Sequence, residues 1–154
     1  MNLSIIEQYA HGADSLAAGI TGLSTADFLA TPVPGTWSIQ QIVLHLMDSD
    51  LIASDRMKRM IAEENPTIIG YDETAFSQKL FYNRLDPHMA ADIFKKNRLL
   101  TAVILRNLPD EAFNRTGTHS ERGKMLLGDM VSMYVQHLEH HMKFLRHKRQ
   151  LLGK

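Results

Sequence analysis

The sequence contains no cysteine among its 154 residues. Disulfide bonds, thiolate metal ligands and a cysteine nucleophile are therefore excluded, because each of them requires a thiol. Any metal ion that the chain binds must be held by nitrogen and oxygen atoms. The chemistry of the protein must accordingly be sought among histidine, carboxylate, hydroxyl and backbone groups.

A block of like charge, a long apolar segment and the residue pattern of a signal peptide are also not found. Lysine and arginine together number 17, as do aspartate and glutamate, so the formal net charge is zero. Nucleic acids and anionic membranes attract basic surfaces, and we therefore expect neither as a partner. No window approaches the ~18 apolar residues of a membrane helix, and the N-terminus has no basic segment followed by an apolar run. These absences predict a cytoplasmic protein.

Segments that alternate between polar and apolar residues are too short to predict strands, and no repeat of solenoid length occurs. Apolar residues instead recur every three or four positions in four long segments, which turn-rich connections separate. A chain of this length is sufficient for one hydrophobic core. The pattern predicts an all-α four-helix bundle that forms a single domain over residues 1–154.

The second predicted helix has a well-marked start. Ser38 and Gln41 have the spacing of a capping box, and Trp37 stands where an apolar side chain packs against the first helical turn. The apolar pattern then continues until the proline-containing turn at residues 65–66. We predict a helix of about 26 residues that begins at Ile39.

The other three helices have less distinct boundaries. The first is expected over about residues 2–19, and the fourth from about residue 124 to the C-terminus. The third is expected to begin after Asp86, because aspartate followed by proline is typical of a helix N-cap and first turn. Its apolar residues predicted to face the core are Ile93, Leu100, Val103, Ile104 and Leu108.

The fourth predicted helix contains the stretch YVQHLEHHMKFL, with three histidines within five positions. On a helical wheel His137 and His141 lie toward the apolar face, whereas His140 lies near its edge. Residues four apart are neighbours on a helix surface, so both imidazoles can reach one metal ion. The spacing alone leaves two interpretations, a metal-binding pair or half-buried histidines whose ring nitrogens are bonded within the protein.

A histidine from another helix would favour the metal interpretation. His45 lies in the second predicted helix, although away from the centre of its apolar stripe. Together with Ser49 and Arg56 it forms a polar track, which is suited to line a cleft. His45 is therefore the candidate for a third ligand.

Four motifs occur in an order that resembles a known family. They are WSIQQIVLHLMDS, ENPTIIGYDETA, HSERG and the HxxxH of the fourth helix. Together they resemble the DinB-like superfamily of four-helix-bundle metalloproteins, and its YfiT-like branch in particular. The resemblance extends from about Thr36 to Phe144. It implies a bundle of the up-down-down-up type with long connections.

The resemblance also implies a metal site and a function. The site would be a divalent ion, commonly zinc or nickel, held by His45, His137 and His141, with water or substrate at the remaining positions. The function would be that of an enzyme acting on a small molecule, either a hydrolase or a thiol S-transferase that uses bacillithiol, glutathione or a similar thiol. The alternative is a stress-related bundle that binds metal or a small molecule without catalysis. Relatives in this family are frequently homodimers, so a homodimer is expected here.

Two carboxylates are candidates for catalytic roles. Glu121, within HSERG, is suited to act as a general acid or base or to orient the substrate. Asp48 follows His45 by three residues, so we expect it to accept a hydrogen bond from that imidazole. The alternative for Asp48 is an ordinary solvated position on the helix surface.

The sequence departs from the family pattern at two places. HSERG stands where HPExG is usual, and Met125 stands where a threonine would cap the fourth helix. His119 is interpreted either as a residue that holds this segment by hydrogen bonds or as a fourth ligand.

Tyr71 and Glu73 are candidates to close over the site, as is Asp72, which also suits a helix cap. The histidines expected at the surface are His11, His88, His140 and His147.

Overall fold

The four predicted helical segments pack as a bundle. In the computed structural model residues 2–154 are described, with side chains from residue 3 onward. The helices are α1 (Asn2–His11), α2 (Ser15–Gly19), α3 (Thr25–Leu29), α4 (Ile39–Ala62), α5 (Glu73–Lys79), α6 (Pro87–Arg106) and α7 (Leu127–Leu151). A 3-10 turn at Gly12–Asp14 joins α1 to α2, so these two helices act as one side of the bundle. Both α1 and α4 pack against α6 and α7. The prediction of an all-α four-helix bundle is confirmed.

Local capping contacts fix the starts of two long helices where they were predicted. The Ser38 hydroxyl accepts a hydrogen bond from the Gln41 backbone N–H at 3.2 Å, and the Gln41 side chain accepts one from the Ser38 N–H at 2.9 Å. The Asp86 carboxylate accepts a hydrogen bond from the backbone N–H of His88 at 2.8 Å. Each contact satisfies a backbone donor that the first helical turn leaves unpaired.

The prediction of which residues of α6 face the core is wrong. Ile93, Leu100 and Val103 are exposed, Leu100 by 61%, while Ile104 and Leu108 are half-buried. The residues that α6 buries are Ala90, Ala91, Phe94, Arg98, Thr101, Ala102 and Leu105. An ion pair explains the difference.

This ion pair joins α6 to α4 in the core. The Arg98 Nε donates to Asp50 Oδ1 at 2.8 Å, and the two side chains are only 1% and 2% exposed. The guanidinium also donates to the backbone oxygen of Tyr134 on α7 at 2.8 Å. A buried charge is stable only when it is paired and hydrogen-bonded, so these contacts turn the Arg98 face of α6 inward.

A small three-stranded sheet connects two of the long loops and was not predicted. Its strands are β1 (Thr67–Ile68), β2 (Thr116–His119) and β3 (Gly123–Leu126). β1 pairs with β2 in parallel, with Ile68 opposite His119, and β2 pairs with β3 in antiparallel. The sheet therefore brings the segment after α4 beside the HSERG segment.

The start of α7 lacks a side-chain cap, in agreement with the missing threonine. α7 begins at Leu127, and the preceding Leu126 makes no side-chain cap hydrogen bond. The Leu127 N–H instead donates to the backbone oxygen of Arg115 at 2.9 Å. Within residues 2–154 no helix is long and apolar enough to cross a membrane.

Candidate metal centre

Three histidine side chains from two helices meet inside the bundle. His45 on α4 is fully buried, and His137 and His141 on α7 are half-buried. One ring nitrogen of each lies within 4.8 Å of those of the other two. The structure thus brings together the three residues that were predicted as ligands.

The positions of the rings follow from helix geometry. His137 and His141 are one helical turn apart, and their ring centroids are separated by 4.6 Å. The His45 ring centroid lies 4.6 Å from that of His141 and 5.1 Å from that of His137. The packing of α4 on α7 therefore places the third ring opposite the gap between the other two.

The spacing of the nitrogens fits a single metal ion. The Nε2 atoms of His45 and His137 are 3.2 Å apart. Two nitrogens bound to one tetrahedral ion at about 2.0–2.1 Å are separated by roughly 3.3 Å. Without an ion, one of these Nε2 atoms must carry a proton and donate it to the other; with an ion, both lone pairs can point at it.

Burial keeps the three imidazoles neutral. Together with the nearby His141 and His137, it lowers the pKa of His45 to about 3. It also lowers the pKa of His137 to about 3 and that of His141 to about 4. All three are therefore unprotonated at neutral pH, which is the state that metal binding requires.

The expected contact between Asp48 and His45 is not formed, and this prediction is wrong. The Tyr82 hydroxyl donates to Asp48 Oδ2 at 2.5 Å. His45 Nδ1 is buried and has no hydrogen-bond partner among the described residues. Tyr82 belongs to a 3-10 turn at Tyr82–Arg84, far from α4 in sequence, and its contact with Asp48 could not be read from local spacing.

Trp37 has a role that its position before the helix cap did not reveal. Its ring centroid lies 4.9 Å from that of His45. It is also nearly parallel to the His141 ring, with 16° between the planes and 6.4 Å between the centroids. The indole therefore packs against two of the three imidazoles and shields them from water.

A polar cavity of about 530 Å³ reaches the histidine cluster at His137. The predicted polar track contributes to it, because Ser49 and Arg56 line its wall. Tyr71, which precedes α5, and Glu73, the first residue of α5, also line it. The cavity is large enough for a small-molecule substrate.

Glu121 lies on the wall of this polar cavity and is held there by backbone contacts. A side-chain carbon on Gly70 would lie only 2.8 Å from Glu121 Oε1, so the glycine leaves room for the carboxylate. The Glu121 N–H donates to His119 Nδ1 at 3.1 Å. His119 therefore holds the segment by a hydrogen bond, and among residues 2–154 the histidine cluster does not include it. Asp72 is a helix cap, since its carboxylate accepts a hydrogen bond from the Ala75 N–H at 2.9 Å.

A second cavity, of about 320 Å³, reaches the cluster at His141. Its walls are largely apolar and include Trp37, Ile42 and Phe144. The buried Lys148 lies at its edge and donates to the Thr36 hydroxyl at 2.6 Å. Cavities of different character therefore adjoin different members of the histidine cluster.

The remaining histidines take no part in the cluster. Those predicted for the surface are all exposed, namely His11, His88, His140 and His147. Of the two interpretations that the spacing of His137 and His141 left open, the clustering with His45 favours the metal-binding pair.

Comparisons with known proteins give relatives that are named for metal-dependent chemistry. The chain is 32% identical over 108 residues to a "Putative metal-dependent hydrolase" of Oceanobacillus iheyensis, covering 70% of this chain and 62% of that protein. It is 29% identical over 120 residues to the "Putative metal-dependent hydrolase YfiT" of Bacillus subtilis, covering 77% of this chain and 67% of that protein. The chain thus matches about two thirds of the length of these relatives.

Solved structures share the fold. The structure of Bacillus subtilis YfiT superimposes with a TM-score of 0.92 and 24% identity, over 99% of this chain and 87% of that chain. A mycothiol-dependent maleylpyruvate isomerase superimposes with a TM-score of 0.73 and 11% identity, over 92% of this chain and 59% of that chain. A family model described as the DinB superfamily matches residues 6–145. The chain therefore belongs to the DinB superfamily.

Proposed function

We propose that the protein is a metal-dependent enzyme that acts on a small molecule. Its metal ligands would be His45, His137 and His141. The observation that supports this proposal is the convergence of three neutral imidazoles beside a polar cavity. Three neutral ligands leave a divalent ion its full charge and an open position, whereas structural sites are closed by four protein ligands. Zinc and nickel are the ions that we expect, because imidazole suits both.

The chain's own residues would bind the substrate and move a proton. A divalent ion, when bound, supplies a positive charge that lowers the pKa of a coordinated water or thiol and polarises a carbonyl. Glu121 lines the same cavity as His137 and is the carboxylate that we propose as the general acid or base. Asp48 is bonded to Tyr82, so we assign it the role of holding that tyrosine against α4.

Hydrolysis is the first candidate reaction. Relatives that match 70% and 77% of this chain carry the name of metal-dependent hydrolases. In this reaction the polar cavity would hold the substrate, and water would be the nucleophile. An ester or amide of a small polar acid would fit the size and polarity of the cavity.

Thiol S-transfer is the second candidate, and the pair of cavities favours it. A transferase needs one subsite for the thiol and another for the electrophile. The polar cavity at His137 suits a polar thiol of the bacillithiol or glutathione type, and the apolar cavity at His141 suits an apolar electrophile. One fold neighbour is named as a mycothiol-dependent isomerase.

Metal analysis of purified variants tests the site. We expect about one zinc or nickel ion per chain in the unmodified protein, and a large loss of metal in His45→Ala, His137→Ala and His141→Ala. His11→Ala is the matched control, because His11 is exposed and should not affect metal content. Equal metal content in the unmodified protein and His45→Ala would refute the site.

Parallel activity assays then test the reaction. One series would contain esters and amides, and the other a low-molecular-weight thiol with a model electrophile. Conjugation without hydrolysis would identify a transferase and eliminate the hydrolase. Stoichiometric metal without turnover in either series would instead support the non-catalytic binding protein.

A further inference from the structure

Arg56 is a buried cation in the polar cavity that the metal site does not explain. Its side chain is only 6% exposed. One guanidinium nitrogen donates to the Tyr134 hydroxyl at 2.9 Å and the other terminal nitrogen to the Ile69 backbone oxygen at 2.6 Å. Its Nε has no hydrogen-bond partner within residues 2–154. Among the described residues no ion pair includes Arg56.

A buried guanidinium without a carboxylate partner is unusual. Arginine is rarely buried unless it is paired, because removing a charge from water is unfavourable. The buried Arg98 follows this rule through its contact with Asp50 at 2.8 Å. Arg56 has no such carboxylate partner among the described residues. It lines a cavity that is open to solvent. Two of its five N–H groups are used by Tyr134 and Ile69, so others remain for a ligand.

Three side chains that can donate hydrogen bonds share the cavity lining with Arg56. Ser49, Tyr71 and Tyr134 line the same cavity and carry hydroxyl groups. Burial raises the pKa of Tyr71 to about 12, so its hydroxyl keeps its proton at neutral pH. The wall therefore offers a cation and neutral donors to an incoming anion.

This wall lies close to the proposed metal ligands. Tyr134, which bonds to Arg56, precedes His137 by one helical turn, and the centroids of their rings are 5.8 Å apart. A group held by Arg56 would thus belong to a molecule that also reaches the histidine cluster. Arg56 and His137 line the same cavity, so one small molecule in it can contact both.

We infer that this wall is an anion subsite in which Arg56 binds a carboxylate of the substrate. The inference rests on the proposed function for the identity of the reacting centre. A guanidinium presents N–H groups in a planar arrangement that matches a carboxylate. The charged lining residues balance in sign, with Arg56, Arg122 and Lys143 opposed by Glu73, Glu121 and Glu139. A cavity without excess positive charge suits a small carboxylate of one or two charges better than a larger polyanion.

Titration with succinate, and separately with inorganic phosphate, tests the subsite. Binding would be measured by calorimetry on the full chain, both with zinc bound and after chelation. We expect succinate to bind, and Arg56→Gln to weaken it by at least about tenfold, since a hydrogen bond to a charged group is lost. Arg59→Gln is the matched control, because Arg59 lies on the same helix but is exposed and paired with Asp55 and Glu63. It should leave succinate binding unchanged.

A second measurement needs no variant at this position and so does not depend on the folding of Arg56→Gln. The NMR resonance of the Arg56 Nε–H group should shift with succinate and saturate at the concentration found by calorimetry. A resonance that does not respond, or equal succinate binding by the unmodified protein and Arg56→Gln, would overturn the inference. If phosphate binds and succinate does not, the assignment of the subsite to a carboxylate would be overturned.

His45→Ala separates this inference from the proposed function. We expect this variant to lose metal but to keep the succinate affinity of the chelated protein, because His45 does not line the polar cavity. Stoichiometric metal without any succinate binding would refute the subsite alone. Succinate binding at Arg56 without metal binding or activity would refute the proposed enzyme and leave the subsite in place.

Discussion

Acidification should destabilise the metal-free protein before its ordinary carboxylates become protonated. In the unfolded chain each histidine takes up a proton near pH 6.5. In the folded protein burial lowers the pKa of His45 and His137 to about 3 and that of His141 to about 4. Between these values the unfolded state binds more protons than the folded state, so stability falls as the pH falls from about 6.5.

The size of the effect follows from the number of buried rings. One histidine that is protonated only in the unfolded state reduces the free energy of unfolding by up to about 1.4 kcal/mol per pH unit. His45 is fully buried, whereas His137 and His141 are half-buried and partly screened by water. We therefore expect a combined loss of about 2 to 4 kcal/mol per pH unit below pH 6. Since domains are stable by only about 5 to 15 kcal/mol, this loss is large.

Urea unfolding in the presence of a chelator measures this slope. Curves would be recorded between pH 6.5 and pH 5, above the usual range of carboxylate titration. His45→Asn removes one buried histidine and should reduce the slope by up to about 1.4 kcal/mol per pH unit. His11→Asn is the control and should leave the slope unchanged, because His11 is exposed. Equal stability at pH 6.5 and pH 5 would show that the three neutral imidazoles are not buried together.

Three other predictions concern the core, the cavity wall and the assembly. Asp50→Ala leaves its arginine partner buried and unpaired, so we expect a loss of about 3 to 5 kcal/mol in urea unfolding, against less than about 1 kcal/mol for the exposed Asp55→Ala. Gly70→Ala should displace the Glu121 carboxylate and lower activity while metal content stays constant; unchanged activity would remove Glu121 from the mechanism. Light scattering should give twice the 17.5 kDa mass of one chain if the expected homodimer forms, and a single-chain mass would refute it.

The helix boundaries could be predicted because their causes are local. The Ser38 capping box and the Asp86 N-cap each depend on side chains within three residues of the backbone groups that they satisfy. Such contacts form in the same way in any fold. The sequence around each cap therefore contains all the information that its position requires.

The inward face of α6 and the sheet could not be predicted because their causes are distant in sequence. Arg98 is turned inward by Asp50, 48 residues earlier, so an apolar stripe on α6 was left exposed. The two-residue strand at Thr67–Ile68 is too short to show a period and exists only because it pairs with β2, about 50 residues later. In each case the deciding partner lies on another element, and hydrophobic spacing within one segment does not contain it.

His45 shows why the position of a residue on a helical wheel is a poor guide to a site. It lies off the apolar stripe of α4, which for an ordinary polar residue predicts exposure to water. It is nevertheless fully buried, because α7 supplies two imidazoles and Trp37 supplies an aromatic ring against it. The burial of this polar group is unfavourable unless its ring nitrogens are satisfied, yet Nδ1 has no partner among the described residues and Nε2 faces His137. An ion shared by the Nε2 atoms of His45 and His137 would account for their approach to 3.2 Å, which apolar packing does not, so removal of His45 is the most direct test of the site.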